Sequence, residues 1–252
     1  MDLVYIVREG DKNEDLKYSL RSIAKHYPDY KVWIVGYKPS WVINVEYIPV
    51  KQTQDKWKNS VNNILTTCKD DRISEDFILM NDDFFCIDPR MPIEQIANSH
   101  INTLSDAIQK HNRMLSRWCH AFSLADTLLK RMKVKQPYYS FEGHLPLKIN
   151  RKKYLEFMDN PYVKVYLRSN NVLHKRTVYK NFDLPEKHYN LKEDVKIDSR
   201  KDNTLKKLQV CGWISVYDGQ IKNPKFKDLN ALLDKEFPNA CKFEEDSHWK
   251  LN

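Results

Sequence analysis

The chain has 252 residues, 41% of them hydrophobic and 12% aromatic. That length supports one sizeable buried core, and the aromatic content excludes an intrinsically disordered chain. The formal net charge of +8 predicts an anionic partner: a nucleotide, a nucleic acid, a wall-type polyanion or a membrane surface. The five cysteines, Cys68, Cys86, Cys119, Cys211 and Cys241, are odd in number and widely spaced. Neither a disulfide framework nor a paired-cysteine zinc or redox site is expected from them. No uncharged apolar run reaches the ~18 residues that span a bilayer, and no secretory leader is visible ahead of the first apolar run. A cytoplasmic protein is expected.

In chain order, the first ninety residues alternate between strand and helix signals. Leu3–Val7 is a β-branched and aromatic run, and 15–26 places Leu16, Leu20 and Ile23 at helical spacing. Val32–Gly36 is a second strand, 41–50 carries a further extended stretch, and 56–68 has a helical pattern. Asp76–Met80 is an apolar strand running straight into Asn81-Asp82-Asp83. Strands joined by helices predict a mainly parallel sheet flanked by helices, an α/β fold whose ligands bind beyond the carboxyl ends of the strands. From Met91 onward the chain is expected to be more helical, with helices over 93–97, 105–116, 120–132, 152–158, 169–179 and 229–237. Val163–Leu167 is instead read as extended, and 184–203, polar and charged, as a surface loop or flexible lid. No repeat or linker divides the chain, so 1–252 is read as one domain, with 1–90 its binding part.

Two adjacent carboxylates after a buried strand raise each other's cost of ionisation. A divalent cation offsets that cost, since Mg²⁺ and Mn²⁺ prefer oxygen ligands and are held by one or two carboxylates plus substrate phosphates. The competing reading is that Asp82 and Asp83 only turn the strand end. The apolar flanks Ile78-Leu79-Met80 and Phe84-Phe85 favour the metal, because they leave the acids as the segment's polar outlet. His144, between Gly143 and Leu145-Pro146, is a general-base candidate by its ordinary pKa near ~6.5, or a structural loop residue. Arg168 presents a planar fork suited to a diphosphate, or to an ordinary ion pair. Arg21 reaches either a phosphate or the nearby acids Glu14 and Asp15. Between Lys130 and Lys153 eight basic residues face one acid, Glu142, which marks either a phosphate-facing surface or a solvated one.

Four ordered blocks, Asp2–Tyr5, Leu16–Ile23, Lys58–Ser60 and Phe77–Phe85, resemble those of the Stealth sugar-phosphotransferases. Two later blocks, Glu142–Pro146 with 152–157 and Tyr166–Asn171 with 174–182, are similar to theirs as well. The resemblance spans 1–182 and leaves the last seventy residues without a counterpart. It implies a GT-A-like fold, a Mn²⁺ or Mg²⁺ ion at the acids, and transfer of a sugar 1-phosphate from a UDP-sugar to an acceptor hydroxyl. By position it makes Asp82 and Asp83 metal and diphosphate residues. Asn59 becomes a donor contact, joined by Asn81 from the acids' own block and by Arg21, and Asp83, His144 and Arg168 form the catalytic centre. One departure is the first block, which continues here as Val7-Arg8-Glu9-Gly10-Asp11 and lacks the family's tryptophan, so simple glycosyl transfer stays open. The expected partners are a nucleotide-sugar donor and a polyanionic or glycan acceptor, with a modified DNA base as a further acceptor. A non-catalytic nucleic-acid-binding protein and a metal-dependent nuclease are the alternatives.

Overall fold

The computed structural model describes residues 1–10, 13–111, 116–168 and 172–245. Asp11, the 112–115 part of the expected helix 105–116, and Ser169, Asn170 and Asn171 lie outside the described residues.

Strand β1 (Asp2–Val7), helix α1 (Glu14–His26) and strand β2 (Lys31–Gly36) form a βαβ unit, extended by β3 (Glu46–Pro49), α2 (Lys56–Lys69) and β4 (Asp76–Asn81). Chain order continues through β5 (Phe84–Cys86), α3 (Ile93–Ile96), β6 (Ser99–His100), α4 (Leu104–His111), α5 (Arg117–Arg131) and β7 (Leu147–Asn150). It ends with α6 (Arg151–Asp159), α7 (Pro161–Arg168), α8 (Lys175–Phe182), β8 (Tyr189–Asn190), α9 (Thr204–Cys211), β9 (Trp213–Ser215) and α10 (Lys227–Glu236). The central sheet has the order β3-β2-β1-β4-β7. Its first four strands are parallel, and β7 runs antiparallel along β4.

Alternation of side chains across the pleat explains why these runs are apolar throughout. Val4, Trp33, Val35, Phe77 and Leu79 turn to one face, against Ile64, Phe122, Phe157 and Val178 from the helices there. Leu3, Tyr5, Ile34, Ile78 and Met80 turn to the other, against Leu16, Leu20 and Ile23 of α1. Each such side chain contributes roughly 1.5–3 kcal/mol on burial. Because β1 connects onward to β2 on one side and pairs with β4 on the other, a crevice opens at the carboxyl ends of β1 and β4. Ile6 stands opposite Asn81 in that register, so Asp82 and Asp83 emerge at the crevice.

The expected strand 163–167 is helix α7. Asn160 accepts the amide of Tyr162 at 3.0 Å through its side chain, and Pro161 occupies the first helical position. This start signal outweighs the β-branched content of Val163 and Val165. The expected helix 169–179 begins only at Lys175, and the extended stretch 41–50 narrows to the four residues of β3.

Residues 183–245 complete the core rather than trailing from it. β9 pairs with β5, and Phe85, Ile197, Ile214, Val216, Leu229 and Leu233 form a third apolar cluster. Gly212 makes this docking feasible. It ends α9 at φ 79°, its carbonyl accepts the amides of Ile87 and Asp88 at 3.0 and 3.1 Å, and an added Cβ would stand 1.7 Å from the Asp88 carbonyl oxygen. Gly212→Ala is therefore expected to lose about 2 kcal/mol or more of stability in a denaturant melt.

Candidate active site

The acid pair sits in a tight turn between β4 and β5, and α1 buttresses that turn from behind. Ser19 Oγ donates to the Phe84 carbonyl at 2.6 Å and is bonded to the Tyr5 hydroxyl at 2.9 Å. The Cys86 amide donates to Ser22 Oγ at 3.2 Å. Both serines are fully buried, so the backbone carrying the acids is fixed by bonds that water does not reach.

Asp82 and Asp83 line a cavity of about 910 Å³ together with His144, Lys196, Asp218 and Tyr217. Lys56 and Trp57 from the first turn of α2 form one wall, and His111, Trp118 and Phe122 form an aromatic end. That volume lies in the upper part of the ~300–1,000 Å³ range typical of small-molecule sites.

The electrostatics of the pair are uneven. Lys196 Nζ stands 2.5 Å from Asp83 Oδ2, and Ser215 Oγ donates to the same oxygen at 2.8 Å. Burial works against ionisation of Asp83, but the Lys196 charge and these hydrogen bonds hold its carboxyl below the usual range. Asp82 is pushed up to about 7 by burial, then by Asp83 and Asp218, with a backbone hydrogen bond and the Arg8 charge only partly opposing. Asp15, on the first turn of α1, is pushed up to about 8 by burial, then by Asp82, Asp83 and Asp218. Four carboxyl groups thus crowd one region, with Lys196 and Arg8, the latter paired to Asp218 at 3.2 Å, set against them. Burial and the Lys196 charge push His144 down to about 4, with Asp83 opposing, so its imidazole is neutral near pH 7. His144 also holds a left-handed backbone at φ 56°, a conformation that costs a non-glycine residue about 1 kcal/mol or more.

Asp15 carries a testable consequence. A carboxyl whose folded pKa is raised contributes stability at low pH, and that contribution disappears as pH rises through the folded value. Asp15→Asn is accordingly expected to raise the melting temperature at pH 8.5 and to leave it nearly unchanged at pH 4. Scanning calorimetry of both proteins across that interval checks the sign.

The structure brings Asp82, Asp83 and His144 to one cavity and places the other candidates elsewhere. Arg21 donates through Nε and Nη2 to Glu244 at 2.7 and 2.8 Å, and through Nη1 to the Phe237 carbonyl at 2.9 Å. Its fork is spent on tying the segment after α10 to α1, whereas Glu14 pairs with Lys17 and Lys222. Asn59 is buried; its side chain accepts the Thr53 amide at 2.8 Å and donates to the Thr53 carbonyl at 2.6 Å. It shapes the loop ahead of α2, and so reaches the cavity only through Lys56 and Trp57. Asn81 ends β4 without lining the cavity, and Arg168 is exposed at the end of α7, outside the lining residues.

The segment 184–203, read as a surface loop or flexible lid, is a loop stitched down along its length. Leu191 donates to the His100 carbonyl at 3.0 Å, Val195 to Gly143 at 3.3 Å and Ile197 to Ser215 at 2.9 Å, while Ser215 returns a bond to Val195 at 3.1 Å. These backbone bonds carry Lys196 to the acid pair, where it also donates to the Val216 carbonyl and lies over the Tyr217 ring at 4.5 Å. Lys196, Ser215 and Asp15 are the site residues that sequence reasoning missed. A lysine in a charged stretch gives no local sign of a partner 113 positions away.

The mainly parallel sheet with one antiparallel edge strand, flanked by helices, is a GT-A-like fold. Among solved structures, an active-site mutant of LgtC superposes with a TM-score of 0.53 at 11% identity, covering 96% of this chain and 98% of that one. The galactosyltransferase LgtC in complex with donor and acceptor sugar analogues gives 0.52 at 10% identity, with coverages of 96% and 98%. The apo WbbM bifunctional glycosyltransferase gives 0.54 at 12%, covering 95% of this chain and 50% of that one. At such identities the likeness establishes the fold. No protein-family model matches the chain, and no curated protein matches it by sequence. The Stealth resemblance accordingly stands on its ordered blocks alone. Among the described residues, no helix is long and apolar enough to cross a membrane.

Proposed function

We propose that the chain is a nucleotide-sugar-dependent glycosyltransferase working in the Asp82-Asp83 cleft. The observation that carries this reading is the pair of half-buried carboxylates at the carboxyl end of β4, opening into a cavity large enough for a sugar nucleotide, in a fold shared with glycosyltransferases. Mn²⁺ or Mg²⁺ suits these residues. Asp82 and Asp83 would hold it, because the crowded carboxyls leave an excess of negative charge that a cation relieves. No group of three protein ligands occurs among the described residues, which suits an ion that takes its remaining oxygens from water and a diphosphate. When bound, such an ion neutralises charge on the departing diphosphate.

The chain's own groups divide the remaining work. Lys196 keeps Asp83 ionised, and its amine lies within reach of any phosphate oxygen that approaches that carboxylate. Neutral His144 offers a lone pair to the acceptor hydroxyl, orienting its oxygen toward the anomeric carbon. At the aromatic end the partly exposed Trp118, backed by buried Phe122, provides an apolar surface against which a sugar ring stacks. The strap that carries Asp194, Lys196 and Ile197 lines one side of the cleft.

The product distinguishes the two transfer chemistries. Glycosyl transfer breaks the bond between the anomeric carbon and the diphosphate and releases UDP; sugar-phosphate transfer breaks the diphosphate and releases UMP. Incubation with UDP-sugars and Mn²⁺, followed by nucleotide chromatography, is expected to show UDP. UMP would instead support the chemistry implied by the Stealth blocks, and absence of both nucleotides across UDP-, GDP- and CDP-sugars would refute the transferase reading.

A further inference from the structure

A second cavity, of about 330 Å³, lies on the far side of Trp57, which lines both spaces. Its apolar walls are Leu65 of α2, Met158 of α6, Leu167 of α7 and Leu173 before α8. Lys58, Arg117 and Lys175 also line it against one acid, Asp55. That acid is already engaged, accepting the Trp57 and Lys58 amides at 3.0 and 3.2 Å as the cap of α2. The cavity is therefore lined by apolar side chains together with three cationic ones.

Lys175 is the informative residue. It makes no hydrogen bond or ion pair among the described residues, although Arg117 and its other charged neighbours do. Burial pushes its amine down to about 8, with the Glu142 charge only partly opposing. It also stands at the first position of α8, whose cap residue His174 makes no side-chain cap bond. The first turn of α8 is capped instead by Glu142, whose Oε1 accepts the Thr177 amide at 3.2 Å, and an anion is favoured at this end of a helix. A half-buried amine without a hydrogen-bond or ion-pair partner among the described residues thus lines the same cavity as the apolar side chains.

We infer that this cavity is a binding site for an apolar chain or ring bearing a single anionic group, phosphate or carboxylate, with the anion against Lys175 and the apolar body along Leu65, Met158, Leu167 and Leu173. The inference is independent of the transferase reading. Trp57 couples the two spaces, so occupancy on one side bears on the wall of the other.

The test uses the full chain without donor or metal, titrated calorimetrically with octyl phosphate and separately with decanoate. Saturable one-to-one binding is expected for at least one of them, and the stronger identifies the preferred head group. Inorganic phosphate and octanol are each expected to bind at least tenfold more weakly. Lys175→Met is expected to weaken binding at least tenfold while melting no lower than wild type, because it removes an unpaired charge. Leu65→Trp, which fills the trough, is expected to weaken binding equally with Lys175 in place. Absence of saturable binding, unchanged affinity in both variants, or displacement of the amphiphile by UDP would overturn the assignment.

Discussion

Asp83→Asn is expected to lower turnover by about 10³-fold or more while leaving a folded protein, the scale seen when a preorganised electrostatic group is removed from a transfer site. The substitution keeps the shape and the Ser215 contact but deletes the charge that Lys196 faces at 2.5 Å. It also removes one of the repulsions that push Asp82 up to about 7. Loss of activity therefore does not have to arise through unfolding, and the melting temperature should stay within a few degrees of wild type. Asp82→Asn makes the informative companion, since Asp82 has no cationic partner at hydrogen-bond distance among the described residues yet shares the cavity. Both variants should also lose any stabilisation that Mn²⁺ with UDP confers on the wild type, because a ligand held only by the native state raises stability by mass action. Retention of turnover in Asp83→Asn would remove the acid pair from the chemistry.

Much of the fold was legible because the strands of a parallel sheet, buried on both faces, announce themselves as continuous apolar runs. Leu3–Val7, Val32–Gly36 and Asp76–Met80 each matched a strand, and the acids following the last one fell where an α/β crevice opens. The site was legible only where its residues lie at the end of such a run. Val163–Leu167 misled because β-branched content speaks for extension, whereas the Asn160-Pro161 start and the burial of Val163 alone on that turn select a helix. Arg21 misled for a different reason: its partner, Glu244, lies 223 positions away, and nothing local distinguishes a buried structural arginine from a phosphate contact. Likewise 184–203 is polar because it is a surface strap, and its attachment runs through backbone bonds to Gly143 and Ser215, which side-chain composition does not encode.

Lys196→Met is the second decisive substitution, and it separates two roles for the lysine. If its amine contributes to the reaction by meeting donor phosphate, turnover is expected to fall by about 10²-fold, as for loss of one charge-stabilising donor. If it only holds Asp83 in place, methionine leaves an unpaired buried carboxylate beside Asp82, Asp15 and Asp218, and the main effect is on cation binding. Removing a competing positive charge from the acid pair should then tighten Mn²⁺ binding, measured directly by the paramagnetic signal of free Mn²⁺ without any substrate. The geometry favours both effects together: lower turnover and tighter metal binding in the same variant, because one amine occupies the carboxylate in the resting site and faces the diphosphate in the loaded one. Lys196→Arg should restore part of the turnover, since it returns the charge with a bulkier and more rigid fork. A Lys196→Met protein with wild-type turnover and wild-type Mn²⁺ affinity would reduce the residue to a strut between the strap and β9. The backbone bonds from Ser215 to Val195 and from Ile197 to Ser215 would then account for its position.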